Sequence, residues 1–427
     1  MKKYNILIAL ALVATLVGCN KDINSPEEWG DVNIPLDPTQ RYIQFDADIN
    51  TRGALITDDY LKDDFAVIGY QYPGLWEAEK VFATPNVFYE DKDKTKVVTP
   101  QIVTYEKYDE TSDGFSYSPL QVWSGNRYSF FAYYPADKTE NIIKLVADQG
   151  DPYILYKPEI DSDPTKLFDL MTAAYIDTGV ASSANVGLEF KHRLSAIDIG
   201  ARNYYEYDHD HDGGSVGATP AKQVTIEIVG LEVSLNNITS TSANIYLDPS
   251  KATVLNPDSS KEIKSIEVVM VGDKAWAPLT FPVKPNTASD RAIRRIERDG
   301  KVMSTLLLLP QEQPLTGNIT LKYRKKYTDN GQDLYQRWDF MKDENGNDVV
   351  DENGEPMLTY SWTKLPTNET SLQAYEFDAP RSLNFDRPLL EGRRYFIELT
   401  FTSDAVSVNI IAADEWDDKD DIRYEFE

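Results

Sequence analysis

Tyr128-Ser129-Phe130-Phe131-Ala132-Tyr133-Tyr134 carries no charge and is closed by Pro135. A short apolar run rich in aromatics and bounded by a turn residue reads as a buried β-strand rather than a helix. Phe65-Ala66-Val67-Ile68-Gly69-Tyr70 reads the same way, and Val224-Thr225-Ile226-Glu227-Ile228 alternates with the period of two expected of a half-buried strand. Outward from these stretches the pattern repeats. Aromatic and β-branched runs, drawing on 26 Tyr and 16 Phe, are broken every ten residues or so by some of the 23 Pro and 22 Gly, which is the punctuation of a β-sandwich. The expected class is all-β. Helix is confined to three short candidates, Lys138 to Val146, Thr165 to Ala174 and Ser289 to Arg298.

The N-terminus is of another kind. Lys2 and Lys3 precede the apolar run ILIALALVATLVG at 6–18, which has the length of a secretory h-region and is too short to span a bilayer. It ends on Cys19, the one cysteine of the chain, and Leu16-Val17-Gly18-Cys19 resembles a bacterial lipobox. That resemblance implies removal of the signal peptide 1–18, acylation of Cys19 and attachment to outer-membrane lipid, firm when two or more acyl chains are buried. With Cys19 acylated no thiol remains for a disulfide, so stability rests on a core. The formal charge of −27 becomes −29 when Lys2 and Lys3 leave with the signal. A surface of that sign repels nucleic acid and anionic headgroups, which removes both as partners.

About 400 mature residues exceed what a single hydrophobic core usually serves. Residues 19–40 are polar, acidic and broken by proline, the composition of a flexible tether. A seam of glycine and acid at Tyr207 to Pro220 separates two strand-rich halves, expected as domains 41–205 and 206–427. DENGNDVVDENGEP at 343–356 repeats Glu-Asn-Gly and reads as an exposed hairpin with Asn-Gly turns.

Catalytic chemistry finds little support. Gly213-Gly214-Ser215-Val216-Gly217 fits G-x-S-x-G, but no strand precedes it and no helix follows. His192 lies in the strand pattern Phe190-Lys191-His192-Arg193-Leu194, where a satisfied structural histidine is expected, and His209 and His211 lie in the acidic seam. Asp208, Asp210 and Asp212 alternate before Gly213, a spacing able to wrap oxygen ligands around Ca²⁺. Thr219 stands where an EF-hand has its closing Glu, and no helical pattern flanks the loop, so a solvated acidic turn is the plainer reading. No catalytic residue, and no cofactor other than this weak Ca²⁺ site, is expected.

The two ends carry the informative pattern. In Arg41 to Asn50, Ile43, Phe45, Ala47 and Ile49 alternate with Gln44, Asp46, Asp48 and Asn50, and the strand stops at Thr51-Arg52-Gly53. Asp421 to Glu427 alternates again, with Ile422, Tyr424 and Phe426 on one face. A terminal strand with no turn after it needs a groove to lie in.

Along the chain stand, in order, the lipobox, Ile43-Gln44-Phe45 followed by Thr51-Arg52-Gly53, VIGYQY at 67–72, WSGNRYSFFAYYP at 123–135, LFDLMTAA at 167–174, VGLEFKHRLSAIDI at 186–199, LEGRRYFIELTFT at 390–402 and ADEW at 413–416. In this order the parts resemble a fimbrillin of the Mfa-like group, the pilus subunits of Bacteroidales. The resemblance implies two tandem transthyretin-like β-sandwiches and export to the cell outer membrane. It also implies an Arg-specific surface protease that cuts between Arg52 and Gly53, so that the first strand, 42–51, leaves with the lipid. Strand 421–427 of the next subunit then fills the groove, and the product is a fimbrium supporting adhesion or biofilm formation. The acidic stretch Asp417 to Asp421 departs from the family pattern and leaves the donor register open. Two other readings stand beside this one: an anchor or tip subunit that keeps its lipid, and a surface glycan-binding lipoprotein that presents aromatic rings.

Overall fold

The computed structural model describes residues 41–49, 61–88, 99–107, 113–136 except 125, 141–158 except 149, 169–178, 185–203, 224–256, 264–269, 279–281, 294–295, 297–298, 301–302, 306–401 and 406–412. More than half of them are in strands, and helix is scarce. A seven-stranded sheet runs in the order β1 (Phe45–Ile49), β9 (Val186–His192), β8 (Met171–Thr178), β5 (Arg127–Tyr134), β2 (Phe65–Tyr72), β3 (Gln101–Lys107), β4 (Asp113–Ser116). A four-stranded sheet runs β13 (Val254–Leu255), β12 (Ala243–Tyr246), β7 (Tyr153–Tyr156), β6 (Ile142–Val146).

The strands read as continuous apolar runs are buried on both faces, which is why they do not alternate. Phe65 and Val67 of β2, with Phe130 and Ala132 of β5, face a core shared with β1, β8 and β9. Ile68 and Tyr70, with Phe131 and Tyr133, face a second core against Ile154 and Tyr156 of β7 and Ile245 of β12. The short helix α1 (Trp76–Glu79) adds Trp76 to this second core, where its ring lies 4.8 Å from that of Tyr70.

The remaining described strands build a second sandwich. One layer is β14 (Lys264–Val269), β11 (Val224–Ile238), β20 (Thr316–Asp329), β21 (Gln332–Phe340) and β22 (Leu358–Thr363), with β15 (Leu279–Phe281) on β11 and β23 (Phe377–Asn384) on β20. The other is β16 (Arg294–Arg295), β10 (Ser195–Asn203), β24 (Arg394–Phe401) and β25 (Val406–Ala412), with β19 (Leu306–Leu308) on β10. A small pair, β17 (Glu297–Arg298) and β18 (Lys301–Val302), completes the strands. In β11 the inward set changes parity, from Ile226 and Ile228 to Leu231, Val233 and Leu235. A register shift against β20 between Ile228 and Gly230 accounts for it, because one extra residue exchanges the two faces of a strand.

Strands from both sides of the glycine-rich seam share two sheets. β10 pairs in parallel with β24, and β7 pairs with β12. The seam itself, 207–220, lies outside the described residues.

The three helix candidates are corrected where the described residues reach them. Ile142–Val146 is β6, Met171 to Ala174 opens β8, and Arg294–Arg295 and Glu297–Arg298 are β16 and β17. Pairing to neighbouring strands, unseen in a local window, outweighs the small differences in helix propensity, and Ile142, Ile143 and Val146 are β-branched besides. Besides α1, the described helix is a 3-10 turn at Glu369–Tyr375. The repeat at 343–356 is exposed and forms turns as expected, two in succession rather than one hairpin, bridged at Lys342 with Asp348 and at Val350 with Pro356.

Gly317 marks a close approach of β20 to β11: a Cβ built there lies 2.0 Å from the carbonyl oxygen of Ser234. Backbone on both sides leaves no room to yield. Gly317→Ala is expected to cost at the upper end of the roughly 1–3 kcal/mol of overpacking, seen as a lowered urea midpoint with an unchanged slope.

Candidate functional site: the first strand and its cleft

The alternation read in 41–50 appears as burial. Ile43 and Ala47 are 0% exposed and Phe45 is 3% exposed, while Asp48 faces solvent. β1 runs parallel to β9, with Phe45 opposite Val186 and Ile49 opposite Phe190. The Val186 N–H donates to Gln44 O at 2.7 Å, and Asn185 Nδ2 donates to Asp46 Oδ2 at 3.0 Å.

The lead-in to β1 is held from its other side as well. The Ile43 N–H donates to Gln121 O at 2.8 Å, the Trp123 N–H donates to Arg41 O at 2.9 Å, and Tyr42 bridges Val122. The Tyr117 hydroxyl donates to Ile43 O at 2.7 Å and accepts from the Gln121 N–H at 3.2 Å. Burial pushes that phenol well above its ordinary pKa, so it stays a donor throughout the physiological range. The segment 41–49 therefore closes a gap between β9 and the stretch 117–123.

The floor of the gap is aromatic. The Phe45 ring meets Phe65 at 6.1 Å and Phe130 at 5.5 Å, both edge-on, and Tyr117 at 5.7 Å. Such pairs contribute about 0.5–1.5 kcal/mol each beyond burial. Taking 41–49 away would uncover this floor and leave backbone groups without partners on two sides, the condition that makes a sheet edge recruit another strand.

The structure thus brings together Ile43, Phe45 and Ala47 and carries Ile49 on the same strand. Arg52 and Gly53, Cys19, the donor residues Ile422, Tyr424 and Phe426, the acidic loop Asp208, Asp210 and Asp212, and the Gly213–Gly217 motif lie outside the described residues. Among the described residues no group of three or more His, Cys, Asp or Glu is placed to hold a metal ion, and no helix is long and apolar enough to cross a membrane. His192 Nδ1 lies 2.5 Å from Asp169 Oδ2, both side chains being buried.

The cleft walls were not legible as such. β9 does alternate, with Val186, Leu188, Phe190 and His192 inward. Alternation shows which residues face in and not which strand lies alongside. Nothing in Tyr117 to Trp123 announces a backbone partner for Arg41 and Ile43.

Comparison with known proteins agrees with this architecture. A fimbrial protein from Bacteroides vulgatus, known from its crystal structure, is 15% identical over 88% of this chain and 100% of its own, with a TM-score of 0.50, a likeness of fold. The tip fimbrial protein Mfa3 from Porphyromonas gingivalis aligns over 87% of this chain and 99% of its own at 8% identity, with a TM-score of 0.28. No curated protein sequence matches the chain. The fimbrillin-like family matches residues 76–409, beginning after β1 and ending within β25. The matched part takes in most of both sandwiches, and by it the chain belongs to the fimbrillin-like family.

Proposed function

We propose that this chain is a structural subunit of a cell-surface fimbria, exported as an outer-membrane lipoprotein through Cys19, cut after Arg52 and polymerised by donor-strand exchange. In this reading the two halves act as tandem sandwiches. The first strand fills its own groove until an Arg-specific surface protease releases it, and strand 421–427 of the next subunit takes its place through Ile422, Tyr424 and Phe426. The protein has no catalytic part in this.

The burial of Ile43, Phe45 and Ala47 in a two-sided cleft is the observation that carries the proposal. An incoming strand recovers backbone bonds along the edge and places alternate side chains in pockets, which is β-augmentation. Filling the sites of Ile43 and Phe45 is worth about 1.5–3 kcal/mol each before ordering costs. Family membership supports the fimbrial part of the reading. The lipid, the cut and the exchange rest on the sequence of the two ends.

Two measurements test it. The mature surface protein should begin at Gly53; a chain beginning at acylated Cys19 and found in assembled fibres would overturn the trimming step. Trypsin at low dose should cut the folded precursor first after Arg52, since Thr51-Arg52-Gly53-Ala54 has loop composition. Early cuts confined to Arg41 or to the stretch 341–356 would count against it.

A further inference from the structure

β21 and β22 leave the second sandwich as a ribbon whose far end is held by hydrogen bonds rather than by a core. Asp343 accepts from the backbone N–H groups of Asn345 and Asn347 at 2.9 and 2.8 Å, and Asp351 from those of Asn353 and Glu355 at 2.8 and 3.0 Å. The Val349 N–H donates to Met341 O and the Met357 N–H to Val349 O, tying three short segments side by side. Residues 342–348 and 350–358 are all exposed.

Along this ribbon the aromatic column of the core runs out into solvent. The Phe401 ring lies 5.1 Å from Tyr323, Tyr323 stacks on Phe377 at 5.4 Å, Phe377 lies 5.7 Å from Trp338, and Trp338 lies 4.0 Å from Tyr360. Trp338 is 37% exposed, Phe340 54%, and Leu358, opposite Phe340, 51%. Strand alternation sets Trp338 and Phe340 on one side, about 7 Å apart.

We infer that Trp338, Phe340 and Leu358 form a stacking platform for an uncharged saccharide. Area and charge bear on the occupant. Aromatic side chains of roughly 150–250 Å² each, exposed to this degree, and one leucine offer on the order of 300 Å². That is ample for one or two sugar rings.

Charge points the same way. Asp343, Glu344, Asp348, Asp351, Glu352 and Glu355 stand around the ribbon tip against the single cation Lys342, which pairs with Asp348. The backbone N–H groups of Asn347 and Glu355 hold Asp343 and Asp351 below the usual carboxylate range, so both are ionised at neutral pH. A second copy of this chain or an acidic sugar would bring like charge to this rim. A neutral pyranose brings none: its C–H face covers the rings while its hydroxyls donate to the carboxylates. An open platform binds weakly at one site and gains by repetition along a fibre, but the site itself does not depend on strand exchange.

Native gel electrophoresis of the unpolymerised protein through gels containing galactomannan, xyloglucan or neutral mucin O-glycans tests this, with polygalacturonate as the acidic control. At least one neutral polymer should retard the wild type, polygalacturonate should not, and Phe340→Ala and Trp338→Ala should each weaken retardation at least tenfold. Phe340, the more exposed, should do so with an unchanged melting temperature. Absence of retardation by all three neutral polymers, equal retardation by polygalacturonate, or an undiminished effect in Phe340→Ala overturns the inference. A concentration-dependent dimer in the ultracentrifuge that Phe340→Ala abolishes also overturns it, and assigns the face to a second copy.

Discussion

Subunits cut after Arg52 and lacking residues 421–427 are expected to stay monomeric where the cut wild type forms long, detergent-resistant polymers. The full chain carries −27, of which residues 1–52 account for −2 (five Lys and Arg against seven Asp and Glu), so cut subunits at −25 repel on approach and assembly requires a specific contact strong enough to offset this. A donor strand packs on its neighbour and adds little to its own core, so the truncated subunit should fold. It should still accept a donor while offering none. Mixed with cut wild type it should cap growing polymers, shortening them in proportion to its fraction on a denaturing gel run without boiling. Long polymers from the truncated protein alone would sink the assignment of the donor. Unfolding of the truncated chain would place strand 421–427 in its own sandwich.

Phe45→Ala in the uncut precursor is expected to cost about 3–5 kcal/mol, because the ring sits at the centre of an aromatic cluster that cannot collapse around alanine. Against a typical total of about 5–15 kcal/mol, such a loss would bring the first sandwich close to unfolding. Asp48→Ala, three residues on and exposed, should lie within about 0.5 kcal/mol of wild type. Urea titration followed by tryptophan fluorescence reads both. A cost below 1 kcal/mol for Phe45→Ala would mean that 41–49 is an ornament on a core that closes without it, and the groove proposed for the donor would have no energetic basis.

The same cleft shows how far the amino-acid order reaches. That Ile43, Phe45 and Ala47 face inward was legible, because a strand's side chains alternate by geometry and apolar atoms avoid water. The two-faced burial behind YSFFAYY was legible for the same reason. The helices expected near Ile142 and Met171 were not there, because a few tenths of a kcal/mol of local preference yields to a row of cross-strand bonds and a core. Order along the chain thus determined the all-β class, the inward face of each strong strand, the two alternating ends and the resemblance to fimbrillins. Tertiary structure alone decided that β1 runs parallel to β9, that Arg41 and Ile43 bond across to Gln121 and Trp123, that β10 joins β24 some 200 residues away in sequence, and that His192 meets Asp169. These depend on backbone groups that every residue carries alike and on which distant segments pack together, so no pattern of side chains along the chain specifies them.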